Sequence, residues 1–308
     1  MNREEAMKKS DDALKELAQS LRQGKSEALL QYLAMVSRFH RYSFGNCMLI
    51  ALQKPEASLV AGFHRWKELH RWVKKDEKGI AILAPMIGRR KKDSDAETES
   101  KDTGDAKEPG DSGSRAIRGF RVAYVFDVEQ TEGKELTEFA SLGGDPGERI
   151  ARLEQIIVGR GIEIEYVESL GRGANGASFG GKVQIRSSLP APQMFSTMVH
   201  ELAHELLHRG DRRTSTTTTV RETEAEAVAY VVCRSVGLEC STKASDYIQI
   251  WDGDEKVLMQ SLELIRSVAT SILTELEAKP DDQPDDPAAA AASVSMSQDV
   301  AQEVAHVA

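Results

Sequence analysis

Apolar residues recur at helical spacing along the first fifty positions. Met7, Leu14, Leu17 and Leu21 form one stripe that stops at Gly24, and Leu29, Leu33 and Val36 form a second behind Ser26 as N-cap. Ser43 is placed to cap a third helix, Phe44 to Gln53, which Pro55 closes. A short helix near Phe63 to His70 gives way to a strand, Ile80 to Pro85, and the alternating Val, Tyr and Phe of Phe120 to Val128 make its natural partner. Between them, about residues 88–115, four basic residues (Arg89, Arg90, Lys91, Lys92) lead into Asp, Glu, Ser, Gly and Thr with almost nothing apolar. Such a segment cannot bury enough to fold, so a disordered insertion joining two paired strands is expected.

The second half reads as a helix (Pro146 to Val158), a strand (Ile162 to Val167), a glycine-rich turn (Gly171 to Gly181) and a strand (Val183 to Arg186). Three helices follow: one bearing His200, one over Val220 to Val236 and one over Glu255 to Leu276. This order predicts an α+β fold with an antiparallel sheet packed on a helical layer. Pro280, Pro284, Pro287 and the alanines 288–292 then mark a disordered tail, 279–308. The expected organisation is two domains, 1–136 and 145–278, with the insertion and the tail outside both cores.

Within the helical stretch Met198 to His208, the run His200-Glu201-Leu202-Ala203-His204 is an H-E-x-x-H motif. Four residues are one turn plus a little, so the two imidazoles project side by side and can bind one Zn²⁺ at about 2.0–2.1 Å. Glu201, on the rim beside them, is the candidate catalytic base that takes a proton from an attacking water. A third ligand is expected from the next helix, where Glu222 and Glu226 share a face with Ala225 and Ala229, residues small enough for close approach, and Glu224 points elsewhere. We assign Glu222 to the metal and Glu226 to the imidazole behind it, where a carboxylate fixes the tautomer, with the reverse assignment open. His208, one turn further, is either a helix-surface residue or a neighbour of the ligands. Tyr247 is a candidate oxyanion donor by residue type alone, with a packed core tyrosine as the alternative.

Charge adds a second signal. Residues 1–92 hold 19 Lys+Arg against 10 Asp+Glu, whereas the remainder holds 21 against 39. The basic end interleaves rings and cations: Tyr42, Ser43 and Asn46, then Arg65, Trp66 and Lys67, then Arg71, Trp72, Lys74 and Lys75. Stacking rings plus phosphate-neutralising cations is what single-stranded DNA requires, and these ten are the candidate contacts. The alternative, that Trp66 and Trp72 are core residues of a small domain, stays open. No apolar run long enough to span a membrane exists, and no apolar segment follows the charged first residues, so a cytoplasmic protein is expected. Three cysteines without paired spacing (Cys47, Cys233, Cys240) imply neither a disulfide framework nor a cysteine metal cage.

The runs Tyr42-Ser43-Phe44-Gly45-Asn46, Gln53-Lys54-Pro55, Val60-Ala61-Gly62-Phe63, Trp66, Gly79 to Pro85 and Val125 to Gly133 resemble the N-terminal domain of ArdC-type antirestriction proteins. The second half resembles their zincin-like domain, similar to the ImmA/IrrE metallopeptidases. The resemblance implies a single-stranded DNA-binding domain followed by a zinc metallopeptidase domain, with the metal on His200, His204 and Glu222 and the general base on Glu201. It also implies protection of incoming mobile-element DNA from restriction, with a protein or peptide as the hydrolytic substrate. Two other functions fit the same residues: a non-catalytic DNA-binding protein with structural zinc, and a regulatory peptidase that cleaves a repressor.

Overall fold

The structure is a computed structural model that describes residues 1–23, 26–89, 115–134, 145–238 and 255–278. The chain opens with three helices, α1 (Arg3–Arg22), α2 (Ser26–Phe39) and α3 (Phe44–Gln53). Asn2 and Glu5 form a capping box at the start of α1, and the Ser43 hydroxyl accepts from the Asn46 N–H at the start of α3. Strand β1 (Val60–Gly62), helix α4 (Phe63–Glu68) and strand β2 (Arg71–Val73) lead into the long hairpin of β3 (Ile80–Arg89) and β4 (Arg115–Asp127), and β5 (Thr131–Gly133) returns to pair with β2. The first sheet is antiparallel in the order β1-β4-β3. Its strands reach further than the hydrophobic pattern predicts: Gly88 pairs with Ala116 and Arg89 with Arg115, so these residues extend the hairpin and do not belong to the polar insertion. Residues 90–114, most of that insertion, lie outside the described residues, as do the 279–308 tail, Tyr247 and Cys240.

Strand β3 is an edge strand, and α3 covers its open side. The Asn46 amide donates to the Leu83 carbonyl and accepts from the Leu83 N–H, both at 2.8 Å, and Gln53 does the same for Ala81 at 2.9 and 3.0 Å. Two amide side chains seven residues apart on one helix thus stand in for a neighbouring strand and close an edge open to further pairing. At the far end of β4 the buried Asp127 carboxylate accepts from the N–H groups of Ser58, Leu59 and Glu129, which fixes the corner where β1 meets β4.

The C-terminal half contributes α5 (Arg149–Gly159), β6 (Glu163–Val167), β7 (Gly176–Ser178), β8 (Lys182–Arg186), α6 (Ala191–Leu207), the short α7 (Asp211–Ser215), α8 (Thr218–Ser235) and α9 (Glu255–Glu277). The fold is α+β as expected, but this second sheet is not wholly antiparallel. β7 and β8 form an antiparallel hairpin, whereas β6 lies on the other side of β8 and runs parallel to it. The cause is connectivity: the chain leaving β6 crosses to the far edge, makes β7, and turns back between the two.

One apolar core runs through both halves, from Leu17, Leu33, Phe44 and Val125 to Ile185, Leu202, Val228 and Ile272. Polar contacts fasten the same seam: the Ser235 hydroxyl donates to the Ser37 carbonyl at 2.7 Å, and Thr270 and Arg266 both donate to the carbonyl of His40. Cys47 and Cys233 are buried in it. Among the described residues no helix is long and apolar enough to cross a membrane.

Candidate metal centre

Helix α6 buries Phe195, Met198, Val199, Leu202, Ala203 and Leu207, an apolar stripe at three- and four-residue spacing that locks the helix against the core. That stripe leaves His200 and His204 on the flank facing α8. Helix α8, capped by the Thr217 hydroxyl, comes close because Ala225 and Ala229 are the residues at the contact, 0% and 2% exposed. Its approach brings Glu222 to the two imidazoles. His200 Nε2 and His204 Nε2 are 3.1 Å apart, Glu222 Oε2 is 3.5 Å from the first, and Glu222 Oε1 is 3.6 Å from the second.

These separations match the shape of a metal site. Three ligands about 2.1 Å from one tetrahedral centre stand about 3.4 Å apart, and among the described residues His200, His204 and Glu222 form the one group of three acidic, histidine or cysteine side chains able to share an ion. Two imidazoles and a carboxylate are also the donor set of catalytic zinc centres that keep a position open.

The surroundings decide which ring nitrogen faces the ion. Glu226 Oε2 lies 3.4 Å from His200 Nδ1, a placement that favours a proton on Nδ1 and would leave Nε2 as the atom available to an ion. Behind His204 the arrangement is longer and fully enclosed. His204 Nδ1 stands 3.1 Å from His208 Nδ1, and His208 Nε2 stands 2.9 Å from Glu224 Oε2. With His204 bound through Nε2, each proton has one consistent place: Nδ1–H of His204 donates to His208, and Nε2–H of His208 donates to Glu224. Glu224 is 0% exposed and accepts further bonds from Arg212 at 2.5 Å and Ser261 at 2.6 Å. Glu224 thus turns away from the metal, as its spacing predicts, but α8 does not have the single inward face that the pattern suggests. Both faces are covered, because α6 lies on one side and α9 on the other, and His208 is buried rather than a surface residue.

Glu201 is 6% exposed and lies against β7: a Cβ on Gly176 would come within 2.6 Å of its Oε1. Glycine at that position lets the strand touch the carboxyl. Burial pushes the Glu201 carboxyl above its ordinary range. The next carboxylate, Glu205, belongs to no motif in the sequence. It accepts from the Ser178 hydroxyl at 2.6 Å and from the N–H groups of Gly180 and Gly181 at 2.7 Å, and it pairs with Arg209. Both glycines have positive φ, 75° and 107°, which turns their N–H groups toward one acceptor. Despite burial, those donors hold Glu205 below the usual carboxylate range and pin the β7–β8 hairpin to α6. A carboxylate four residues ahead of Arg209, with a Gly-Gly pair upstream, is the signal that could have found it.

Burial opposes a proton on His200, but the facing Glu222 and Glu226 carboxylates overcome it and raise the imidazole to about 9 from its ordinary 6.5. The sign follows directly. A raised folded-state pKa stabilises the protein without metal below about pH 6.5, and that stabilisation is lost as pH rises to about 9. An ion held by His200 would replace this proton, so metal affinity is expected to climb over the same interval while the thermal midpoint of chelator-treated protein falls. Titration at pH 6 and pH 9 giving equal affinity would contradict this.

The proposed DNA contacts fare differently. Trp66 is 0% exposed and its indole N–H donates to the Phe126 carbonyl at 2.9 Å, so it is a core residue that no base can reach. Tyr42 donates to the Val60 carbonyl, Ser43 caps α3, and Asn46 seals the β3 edge. Arg71 is tied to Thr131 and the Lys134 carbonyl, and Lys74 to the Glu129 carbonyl. All six carry structure, because a polar group near a strand end bonds the nearest backbone. Arg65, in an exposed pair with Glu68, Lys67, Trp72 at 52% exposure and Lys75 stay at the surface.

Residues 2–126 match the family model of the N-terminal domain of anti-restriction factor ArdC. The chain is 24% identical over 286 residues to an uncharacterized protein of Bacillus anthracis, a match that covers 82% of this chain and 48% of that protein, so the chain spans about half the length of this curated relative. Among solved structures it is similar to the antirestriction ArdC protein from plasmid R388. The metal-free form is 19% identical with a TM-score of 0.45, covering 76% of this chain and 84% of that one. The Mn(II)-bound form is 16% identical with a TM-score of 0.48, covering 87% and 98%. The match to the ArdC family model thus covers residues 2–126, the N-terminal part of this chain.

Proposed function

We propose that residues 1–136 bind single-stranded DNA and that residues 145–278 form a zincin-like unit holding one Zn²⁺ for metallopeptidase-type hydrolysis. Together they would protect incoming mobile-element DNA from restriction in the cytoplasm. The observation that carries the reading is the convergence of His200, His204 and Glu222 from two helices with Glu201 beside them. When bound, the ion supplies Lewis acidity, lowering the pKa of a water toward about 7 and polarising a carbonyl.

The chain's own residues do the rest. Glu222 and the two Nε2 atoms bind the ion; Glu226 and His208 hold the imidazoles in the tautomer that exposes those atoms. Glu201, buried against Gly176, takes a proton from the attacking water and delivers it to the leaving amine. β7 is the edge strand of its sheet, next to Glu201, where an extended peptide can pair. The negative C-terminal half suits a protein substrate better than a nucleic acid one.

The test is a proteomic comparison of cells producing the wild-type chain or His204→Ala. Proteins shortened only in the first are the expected result, enriched in those bound to DNA. Identical proteomes would remove the peptidase reading.

A further inference from the structure

The rings that the sequence offers as base-stacking platforms are largely enclosed, yet the same domain leaves a different row of rings in solvent. On β4 the side chains alternate. Val125 and Asp127 turn into the core, and Phe120, Val122, Tyr124 and Phe126 share the opposite face. Phe120 is 40% and Tyr124 52% exposed. The row continues across the strand end, where Phe63, itself 44% exposed, meets Phe126 edge-on with ring centroids 6.5 Å apart. Gly79 sits beneath this row: a Cβ there would fall 2.9 Å from the Tyr124 Cβ and 3.1 Å from the Phe126 ring. The strand entry is therefore bare where any side chain would crowd the rings.

Cations border the row. The Lys67 ammonium lies 4.8 Å from the Phe63 ring centroid, and Lys78 immediately precedes Gly79. The surplus of Lys and Arg over Asp and Glu in residues 1–92, opposite in sign to the rest of the chain, gives the same end of the molecule a field that draws polyanions. Water-exposed rings four residues apart along a strand, flanked by ammonium groups, offer π-faces to bases and charge to the backbone joining them. A protein partner would gain from the rings but not from this charge surplus, which favours the nucleic acid.

We propose that the outer face of β4, with Phe120 and Tyr124 at its centre, Phe63 at one end and Lys67 and Lys78 at its border, is the surface on which this protein stacks the bases of single-stranded DNA. The proposal rests on the reading that the N-terminal domain binds single-stranded DNA, and it replaces Trp66 as the stacking element.

The test uses the full chain and a fluorescein-labelled oligothymidylate of about 20 nucleotides, a probe within the site sizes of such surfaces, read by fluorescence anisotropy at several salt concentrations. Phe120→Ala with Tyr124→Ala is expected to weaken binding at least about tenfold while leaving the salt slope unchanged. Lys67→Ala with Lys78→Ala should instead flatten that slope by about 1.4, roughly 0.7 for each phosphate no longer neutralised. Tyr124→Phe should bind as the wild type does. Binding by the wild type that survives the double alanine change within twofold overturns the surface alone, and absence of wild-type binding overturns the underlying reading as well. Photocrosslinking of the wild-type chain to a bromodeoxyuridine oligonucleotide needs no variant: crosslinks on the Phe120–Phe126 peptide support the surface, and crosslinks confined elsewhere remove it.

Discussion

Glu201→Gln is expected to leave the metal in place and to slow hydrolysis by about 10²–10⁴-fold, the usual contribution of a positioned general base. The amide has the shape of the carboxyl and fills the same space against Gly176, so the fold and the three ligands are undisturbed. It cannot accept a proton, which is the one property the substitution removes. Burial already raises the affinity of Glu201 for that proton. The readout is cleavage of the proteins identified by the wild-type comparison, alongside metal content of both forms. A protein with a purely structural ion would cleave nothing in either form and would keep every other activity in the variant.

Glu224→Ala should cost about 3–5 kcal/mol of stability, as expected when one partner of a buried charged pair is removed. Glu224 accepts from His208, Ser261 and Arg212 at once and has no exposed surface. Deleting it strands the buried His208 and Ser261 donors where water cannot replace the missing acceptor, and removes the carboxylate that faces the partly exposed Arg212. The same change frees His208 to turn, and with it the contact that would orient His204 with its Nε2 toward an ion. Metal affinity is therefore expected to drop about 10–100-fold in addition. Urea denaturation of the chelated protein isolates the first effect and metal titration the second. A loss of less than about 1 kcal/mol would show that the chain His204, His208, Glu224 is not held as described.

Much of the metal-site geometry is readable from spacing alone. Residues at i and i+4 must share a helix face, which pairs His200 with His204 and Glu222 with Glu226, and the alanines between them mark where two helices can close. Spacing does not reveal which charged residues an interior will accept. Glu224 and His208 have the pattern of ordinary surface positions, and only the packing of α9 supplies Ser261 behind them. Nor does residue type say where a ring points. Trp66 amid cations suggests stacking, but a six-residue helix directly after β1 swings the indole under β4. Phe120 and Tyr124, readable as part of a strand, turn outward because the hairpin's other face already meets the core through Ile80, Ile82 and Val125. The parallel pairing of β6 with β8 depends on a crossover that carries no local signature.

The central claim is that three side chains from α6 and α8 bind one ion. The most direct measurement is the metal content of wild type and Glu222→Ala, each equilibrated with Zn²⁺ and desalted. About one equivalent is expected in the first and little or none in the second, as removal of one of three protein ligands requires. No metal in the wild type, or a full equivalent retained without the Glu222 carboxylate, would contradict it.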